Sequence, residues 1–224
     1  MNYTIIRSKR KTMAIHITKD AQVQVRAPLQ LSEHEIDNFV QSKEKWITKH
    51  LKIREQHLKK RLEFTLNYGD SVLLRGKDYK IKAVEGKYGG FDGESFYLPP
   101  NLSNENIKYT VIQIYKLLAK NILTQKVVSF AKVMNVTPTA VKINNAKTRW
   151  GSCSSKGSLN FSWRLLMGSD DIIDYVVVHE LSHLKEHNHS DKFWAVVENV
   201  LPDYKIRQER LKALQGRLIS ENWE

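Results

Sequence analysis

One cysteine, Cys153, is all that the 224 residues contain. No disulfide can form within the chain, and the scarcity fits a reducing compartment. A lone cysteine is ordinarily a small buried hydrophobe, which is the plainer reading of Cys153. Long apolar runs are missing as well. Stretches such as "IIDYVVV" are broken by an acid within a few positions, well short of the ~20 residues that cross a bilayer. The opening "MNYTIIRSKRKTMAIHI" carries charges where a secretory signal needs an apolar segment, so a cytoplasmic protein is expected. There is no internal repeat and no low-complexity tract, which sets aside repeat arrays and compositionally driven disorder. A phosphate-cradling loop is also lacking, because "GKYGGFDG" does not end in the Lys-Ser/Thr pair that such a loop uses.

What is present is ordinary for a globular chain: 41% hydrophobic and 27% charged residues, enough for one sizeable core or two modest ones. The net charge of +12 is uneven, since residues 1–87 hold 19 Lys and Arg against 10 Asp and Glu. A surface of this kind attracts phosphates through counterion release, which makes a nucleotide or nucleic acid a candidate partner of the N-terminal region. The plainer reading is a solvated face, because no aromatic-interleaved binding motif accompanies the charge.

In "KTMAIHITKDAQVQVRAP", Met13, Ile15 and Ile17 alternate with polar or small residues, Val23 and Val25 do the same, and "TKDAQ" is turn-like. The pattern predicts a β-hairpin. Ser32 and Glu35 have capping-box spacing ahead of Ile36, Phe39, Val40, Trp46, Ile47 and Leu51, so an amphipathic helix or helix pair comes next. His34, His50 and His57 lie here among charged neighbours and read as surface rather than ligands. Short strands punctuated by Gly then run to Pro99-Pro100, so that residues 1–100 form a strand-rich N-terminal region with one amphipathic helical segment.

Residues 101–224 are expected to form a second domain. Ile107, Val111, Ile114, Leu118, Ile122 and Val127 stripe a long helix over residues 104–136. Two strand-like runs flank the turn-rich "SCSSKG", and the second, Ser158 to Leu166, is a candidate edge strand. Asp170, Asp171 and Asp174 crowd the start of the next helix, where acids favour the N-terminus. Its Val-Val-Val run has poor helix propensity, so only burial would hold it helical. After Pro202 a last amphipathic helix spans roughly residues 204–218.

The chemistry is concentrated in "HELSHLKEHNH", His179 to His189. Residues four apart on a helix share a face about one turn (~6 Å) apart, so His179 and His183 can aim two imidazoles at one ion. Glu180 is rotated by ~100° and is free to approach a water instead of ligating. Neutral imidazoles that hold an ion, with a carboxylate to take a proton from water, are the parts of a zinc hydrolase. A catalytic zinc commonly takes a third protein ligand. If the helix ends near Asn188, a residue type that tolerates the left-handed conformation, the chain can turn back and bring His189 to the ion. His187 is the competitor, but on a continuing helix it would sit ~12 Å from His179, too far to share an ion. The bland reading of the stretch is a polar helix end.

"TRWGSCSSKGSLNFSWRLL", "IDYVVVHELSHL", "NHSDKFW" and "PDYKIR", with the opening "RSKRKT" and "VRAP", resemble the YgjP-like metallopeptidase family, relatives of the SprT-like and WLM proteases in the zincin group. The resemblance implies an α+β fold: a minimal zincin-like core in which the HExxH helix packs on a small β-sheet, preceded by the strand-rich N-terminal region. It also implies one zinc per chain, held by His179, His183 and His189, with Glu180 as general base. Glu186 stands where the related metzincins have Gly, and no Met-turn is visible, so nothing is carried over from that group. Arg149, Asn160, His187 and Tyr204 are candidates for contacting substrate or a transition state, and Trp150, Phe193 and Trp194 read as packing residues.

These residues are compatible with three functions. The first is hydrolysis of a peptide or protein substrate laid along an edge strand. The second is metal-dependent pyrophosphohydrolysis of a nucleoside triphosphate such as UTP. The third keeps zinc either in a purely structural role or in a protease recruited to DNA by its basic surface, with binding that falls steeply with salt.

Overall fold

A computed structural model of the chain describes residues 1–223. Contacts divide them into two units, the first made of residues 1–64 with 218–222 and the second of residues 65–217 with Trp223. In the first unit the expected hairpin forms between β2 (Ala14–Ile17) and β3 (Val23–Pro28), which pair antiparallel. Strand β1 (Thr4–Ser8), not expected from the sequence, pairs parallel with β3 and makes that strand central. Only Ile5 of the β1 residues is shielded even in part, so no alternation of burial marked it. Ser32 caps α1 (Glu33–Ser42) through a complete capping box with Glu35. Helix α2 (Glu44–Glu63) begins at once after it. Val23, Val25 and Ala27 on one face of β3 pack with Ile36, Val40 and Ile47 as the core of this unit.

The second unit opens with a four-stranded sheet of β4 (Ser71–Leu74), β5 (Lys77–Ala83), β6 (Gly90–Phe91) and β7 (Ser95–Leu98), in the order β4-β5-β7-β6. Helix α3 (Asn104–Met134) is capped at its start by Ser103 and stopped by Asn135 in the left-handed conformation. Its buried face includes Ile107, Val111, Ile114 and Val127 as the periodicity predicts, whereas Leu118 and Ile122 are only half-buried. Then come β8 (Ala140–Asn144), β9 (Gly151–Cys153) and β10 (Ser158–Ser162), ordered β8-β10-β9.

This order corrects the edge-strand expectation for Ser158 to Leu166. Strand β10 is central, parallel to β8 and antiparallel to β9, and Trp163–Met167 leave the sheet as a buried 3-10 turn. Leu159, Phe161 and the apolar 3-10 residues are almost wholly shielded, so the apolar pattern belongs to a central strand and to the turn at its end. The edge on this side is β9.

Helix α4 (Asp170–Ser182) packs against α3 and β9. Val176, Val177 and Val178 are all buried in it, and that burial outweighs their poor helix propensity. Its acidic start is stapled by cations: Arg75 makes a two-pronged pair with Asp170, Lys126 reaches both Asp170 and Asp174, and Arg210 pairs with Asp171. Helices α5 (Asp191–Val200) and α6 (Tyr204–Leu218) complete the element order. Among the described residues no helix is long and apolar enough to cross a membrane. Small sheets with helices packed on them make this the α+β architecture that the resemblance implies.

Candidate metal centre

Helix α4 delivers two imidazoles from its last turn. His179 is one turn before the end, and His183 is the C-terminal cap residue. The helix therefore stops well short of the expected end near Asn188. The backbone then bends through residues 184–189, and α5 begins at Asp191. This bend carries His189 back over the end of α4. Its Nε2 lies 3.0 Å from Nε2 of His179, and one ligand atom from each of His179, His183 and His189 lies within 4.8 Å of the others. His187 is exposed and outside this group. Its exclusion follows from the bend rather than from its place on a continuing helical face.

Packing and one hydrogen bond orient the rings. Phe193, wholly shielded, has its ring centre 5.0 Å from that of His179 and 4.7 Å from those of His183 and His189. Nδ1 of His183 lies 3.2 Å from the carbonyl oxygen of Glu186. With a proton on Nδ1 it donates to that carbonyl, which leaves Nε2 with its lone pair for an ion. Nδ1 of His179 is buried with no hydrogen-bond partner among the described residues, and that ring is held instead between Tyr175 and Phe193. Burial and the two adjoining imidazoles push His179 down to about 3. Burial likewise lowers His183. Imidazoles whose charged form burial disfavours suit a cation and not an anion. The donor set fits a first-row divalent ion with nitrogen preference, zinc among them.

Glu180 lies outside this trio. It is 6% exposed, and burial raises its carboxyl to about 7, opposed by the positive charge of Arg149. Strand β9 approaches it so closely that a Cβ on Gly151 would lie 2.6 Å from Glu180 Oε1. Cys153, two residues along, is half-buried and its thiol is pushed up by burial and by Glu180, so it is no reactive thiolate.

Of the other candidates, Arg149 is exposed but near enough to act on Glu180 electrostatically. Tyr204 is buried and stacks on Trp194 at 5.3 Å, and Trp194 in turn lies 5.8 Å from the His189 ring. Asn160 is half-buried on β10, opposite Ser152 and Lys142 in register, and it is outside the three-histidine group. Two further residues belong to the site without having been expected there. Tyr175, one turn before His179, has its hydroxyl pushed up to about 12, by burial first and then by Tyr204 and Glu180. Gly151 gave a signal, since a glycine inside a strand marks close approach of another group.

The profile of the family described as YgjP-like, metallopeptidase domain matches residues 11–214. Among solved structures, the metallopeptidase zymogen abylysin of Pyrococcus abyssi is 23% identical and covers 45% of this chain and 98% of its own, with a TM-score of 0.39. The zymogen jannalysin of Methanocaldococcus jannaschii is 22% identical and covers 42% of this chain and 95% of its own, with a TM-score of 0.37. No curated protein matches the chain significantly.

Proposed function

The chain belongs to the YgjP-like metallopeptidase family and is a hydrolase, and from that premise we propose that it is a cytoplasmic, zinc-dependent peptidase with one ion per chain. The observation that carries this reading is the convergence of three imidazole donors within 4.8 Å of one another beside a buried carboxylate. His179, His183 and His189 hold the ion, and the hydrolytic function resides in residues 101–224. When bound, zinc supplies Lewis acidity, polarising a carbonyl and lowering the pKa of water to ~7.

The protein's own residues do the rest. Glu180 accepts the proton of the attacking water and hands it to the departing amine. Burial raises its carboxyl toward neutrality, the direction that a group which both takes and returns a proton there requires. The substrate lies as an extra strand against β9, the edge strand beside Glu180, where its backbone finds the hydrogen-bonding groups that β10 leaves unused. Arg149 and Tyr204 are the residues we assign to developing negative charge, the first for its field at Glu180 and the second for its buried place behind Trp194. Asn160 and His187 remain secondary candidates for substrate contact.

The test is Glu180→Gln on the intact chain, with zinc content and peptide hydrolysis measured together. Zinc retained and hydrolysis lost is the expected result. Hydrolysis equal to the parent's would remove Glu180 from the mechanism. Offering a nucleoside triphosphate in the same assay separates peptide hydrolysis from pyrophosphohydrolysis.

A further inference from the structure

A second surface, wholly within the first unit, has the makings of a peptide-binding groove. Strand β2 is an edge strand: β3 pairs with one side of it, and no strand among the described residues pairs with the other. Sheet edges are usually protected by charge, Pro or a bulge. The other edge, β1, carries Arg7, whereas "AIHI" of β2 has no Lys, Arg, Asp, Glu or Pro. A cavity of about 350 Å³ touches Ile15, His16 and Ile17 in succession. Successive strand residues point to opposite faces, so a space that meets all three runs along the unpaired side of the strand, between it and α2, which also contacts β2.

The opposite wall is a stripe of α2. Trp46, His50, Ile53, Arg54 and His57 recur at helical spacing along it. Trp46 is 45% exposed and Ile53 39%, and Ile219 adds a further apolar side chain. The Trp46 and His50 rings lie 4.3 Å apart, and a hydrogen bond between His57 Nδ1 and Ser220 Oγ holds the Ile219 segment to α2. Arg54 is the charged residue of the lining, no acid lines the space, and no carboxylate lies within ion-pair distance of Arg54 among the described residues. The surrounding residues 1–64 carry 14 Lys and Arg against 7 Asp and Glu.

We propose that this groove captures an extended, acidic peptide segment by strand addition to β2. Its backbone pairs with the open edge, its apolar side chains enter among Ile15, Ile17, Trp46, Ile53 and Ile219, and a carboxylate meets Arg54. The unpaired strand edge, flanked by Ile15 and Ile17, favours a polypeptide over a nucleic acid, which has no backbone amides to pair; the Trp46, His50 and His57 rings could stack bases as well, so oligonucleotide binding is an outcome of the test. Identifying the captured segment as part of a substrate rests on the peptidase reading; the binding itself does not.

The experiment uses the full chain and a short fluorescein-labelled peptide alternating Val and Glu, followed by anisotropy and by backbone hydrogen exchange. Three companions are run beside it: the same peptide with Lys for Glu, an N-methylated version that cannot pair its backbone, and a single-stranded DNA oligonucleotide. The Val/Glu peptide is expected to bind, to slow exchange at residues 14–17, and to outcompete all three companions. Arg54→Glu should weaken it by about tenfold or more, since a like charge replaces an opposite one, and should improve binding of the Lys peptide. Trp46→Ala, at an exposed position, should also weaken it without lowering the melting temperature. No binding, no protection at residues 14–17, equal binding of the N-methylated peptide, or preference for the oligonucleotide would each overturn the proposal. Binding by a chain that hydrolyses no peptide sinks the peptidase reading and leaves the groove standing. Hydrolysis without groove binding does the reverse.

Discussion

Gly151→Ala offers a sharp test of how the centre is built. The glycine lies in β9 against the Glu180 side chain, and an added Cβ would sit 2.6 Å from Cγ, 2.6 Å from Oε1 and 2.8 Å from Cδ of that residue. Non-bonded carbons rest at ~3.5–4.0 Å, so either the carboxylate or the strand must withdraw by about 1 Å. The strand is tied to β10 by its ladder and packs on α4, whereas a glutamate side chain yields by rotation. Because Cγ and Cδ of a nearly buried side chain must move as well as the carboxylate oxygen, the clash is relieved at ~1–3 kcal/mol of folding stability and at direct cost to the position of the base. A displacement of ~1 Å in a reacting group lowers the rate by about 100-fold, equivalent to ~2.7 kcal/mol of transition-state stabilisation. The assay is kcat/KM on a peptide substrate, with zinc content and melting temperature measured on the same preparation. Zinc retention, a melting temperature lowered by a few degrees, and a loss of activity of that order are expected. Alanine at position 151 with parental kcat/KM would mean that Glu180 is not the base, or that its position is immaterial.

The same geometry sets other outcomes. His189→Ala removes a proposed ligand and should cost more zinc affinity than the ~10–100-fold of losing a ligand's outer hydrogen bond, measured by competition with a chelator; unchanged affinity would leave a site of two histidines. Phe193→Ala empties a wholly shielded site in contact with all three imidazoles, so it should destabilise the fold by ~3–5 kcal/mol in denaturant titration and weaken zinc binding as well. Burial raises Glu180 from 4.5 to about 7, and a base must be deprotonated to act, so kcat/KM should fall on acidification. A cation held by the neighbouring imidazoles favours the carboxylate and moves this acid limb below the metal-free value; a profile flat from pH 7 to 4.5 would refute the assignment.

Much of the fold was legible because its signals are local. The alternation in "KTMAIHITKDAQVQVRAP" became the β2–β3 hairpin, the Ser32/Glu35 spacing became a complete capping box, and the last helix ends at Leu218 as its pattern suggests. What escaped depends on partners remote in sequence. Strand β1 exists because β3 offers it a parallel edge, and nothing within five mostly exposed residues announces that. Ser158 to Leu166 read as an edge because its own residues cannot reveal that β8 and β9 flank it on both sides. At the centre, the convergence of His179 and His183 was legible from helical spacing. Tyr175 was not, since its importance lies in which ring it touches, and Gly151 was visible only as a glycine within a strand-like run, without the carboxylate it approaches.

The third histidine shows why helix length matters as much as ligand identity. Were α4 to continue through the bend, His189 would lie ten residues beyond His179, ~15 Å along the axis, and no ion could join them. The chain departs at His183 instead. Ser182 turns its hydroxyl back onto the Val178 carbonyl at 2.8 Å, a local bond that competes with helix continuation. The carbonyl of Ser182 then takes both Lys185 N–H and Glu186 N–H, at 3.0 and 2.9 Å. That tightened turn brings the Glu186 carbonyl to Nδ1 of His183, so the bond that sets the ring's tautomer comes from the same turn that ends the helix. The chain then has Ser190 in extended conformation as the cap of α5, and Phe193, three residues into that helix, closes on the three rings from behind. The spacing from His183 to His189 is therefore a requirement on a turn and not on a helix face. An insertion or deletion between Lys185 and Asn188 should abolish zinc retention even with every histidine in place, whereas an exposed substitution there, such as His187→Ala, should leave it intact.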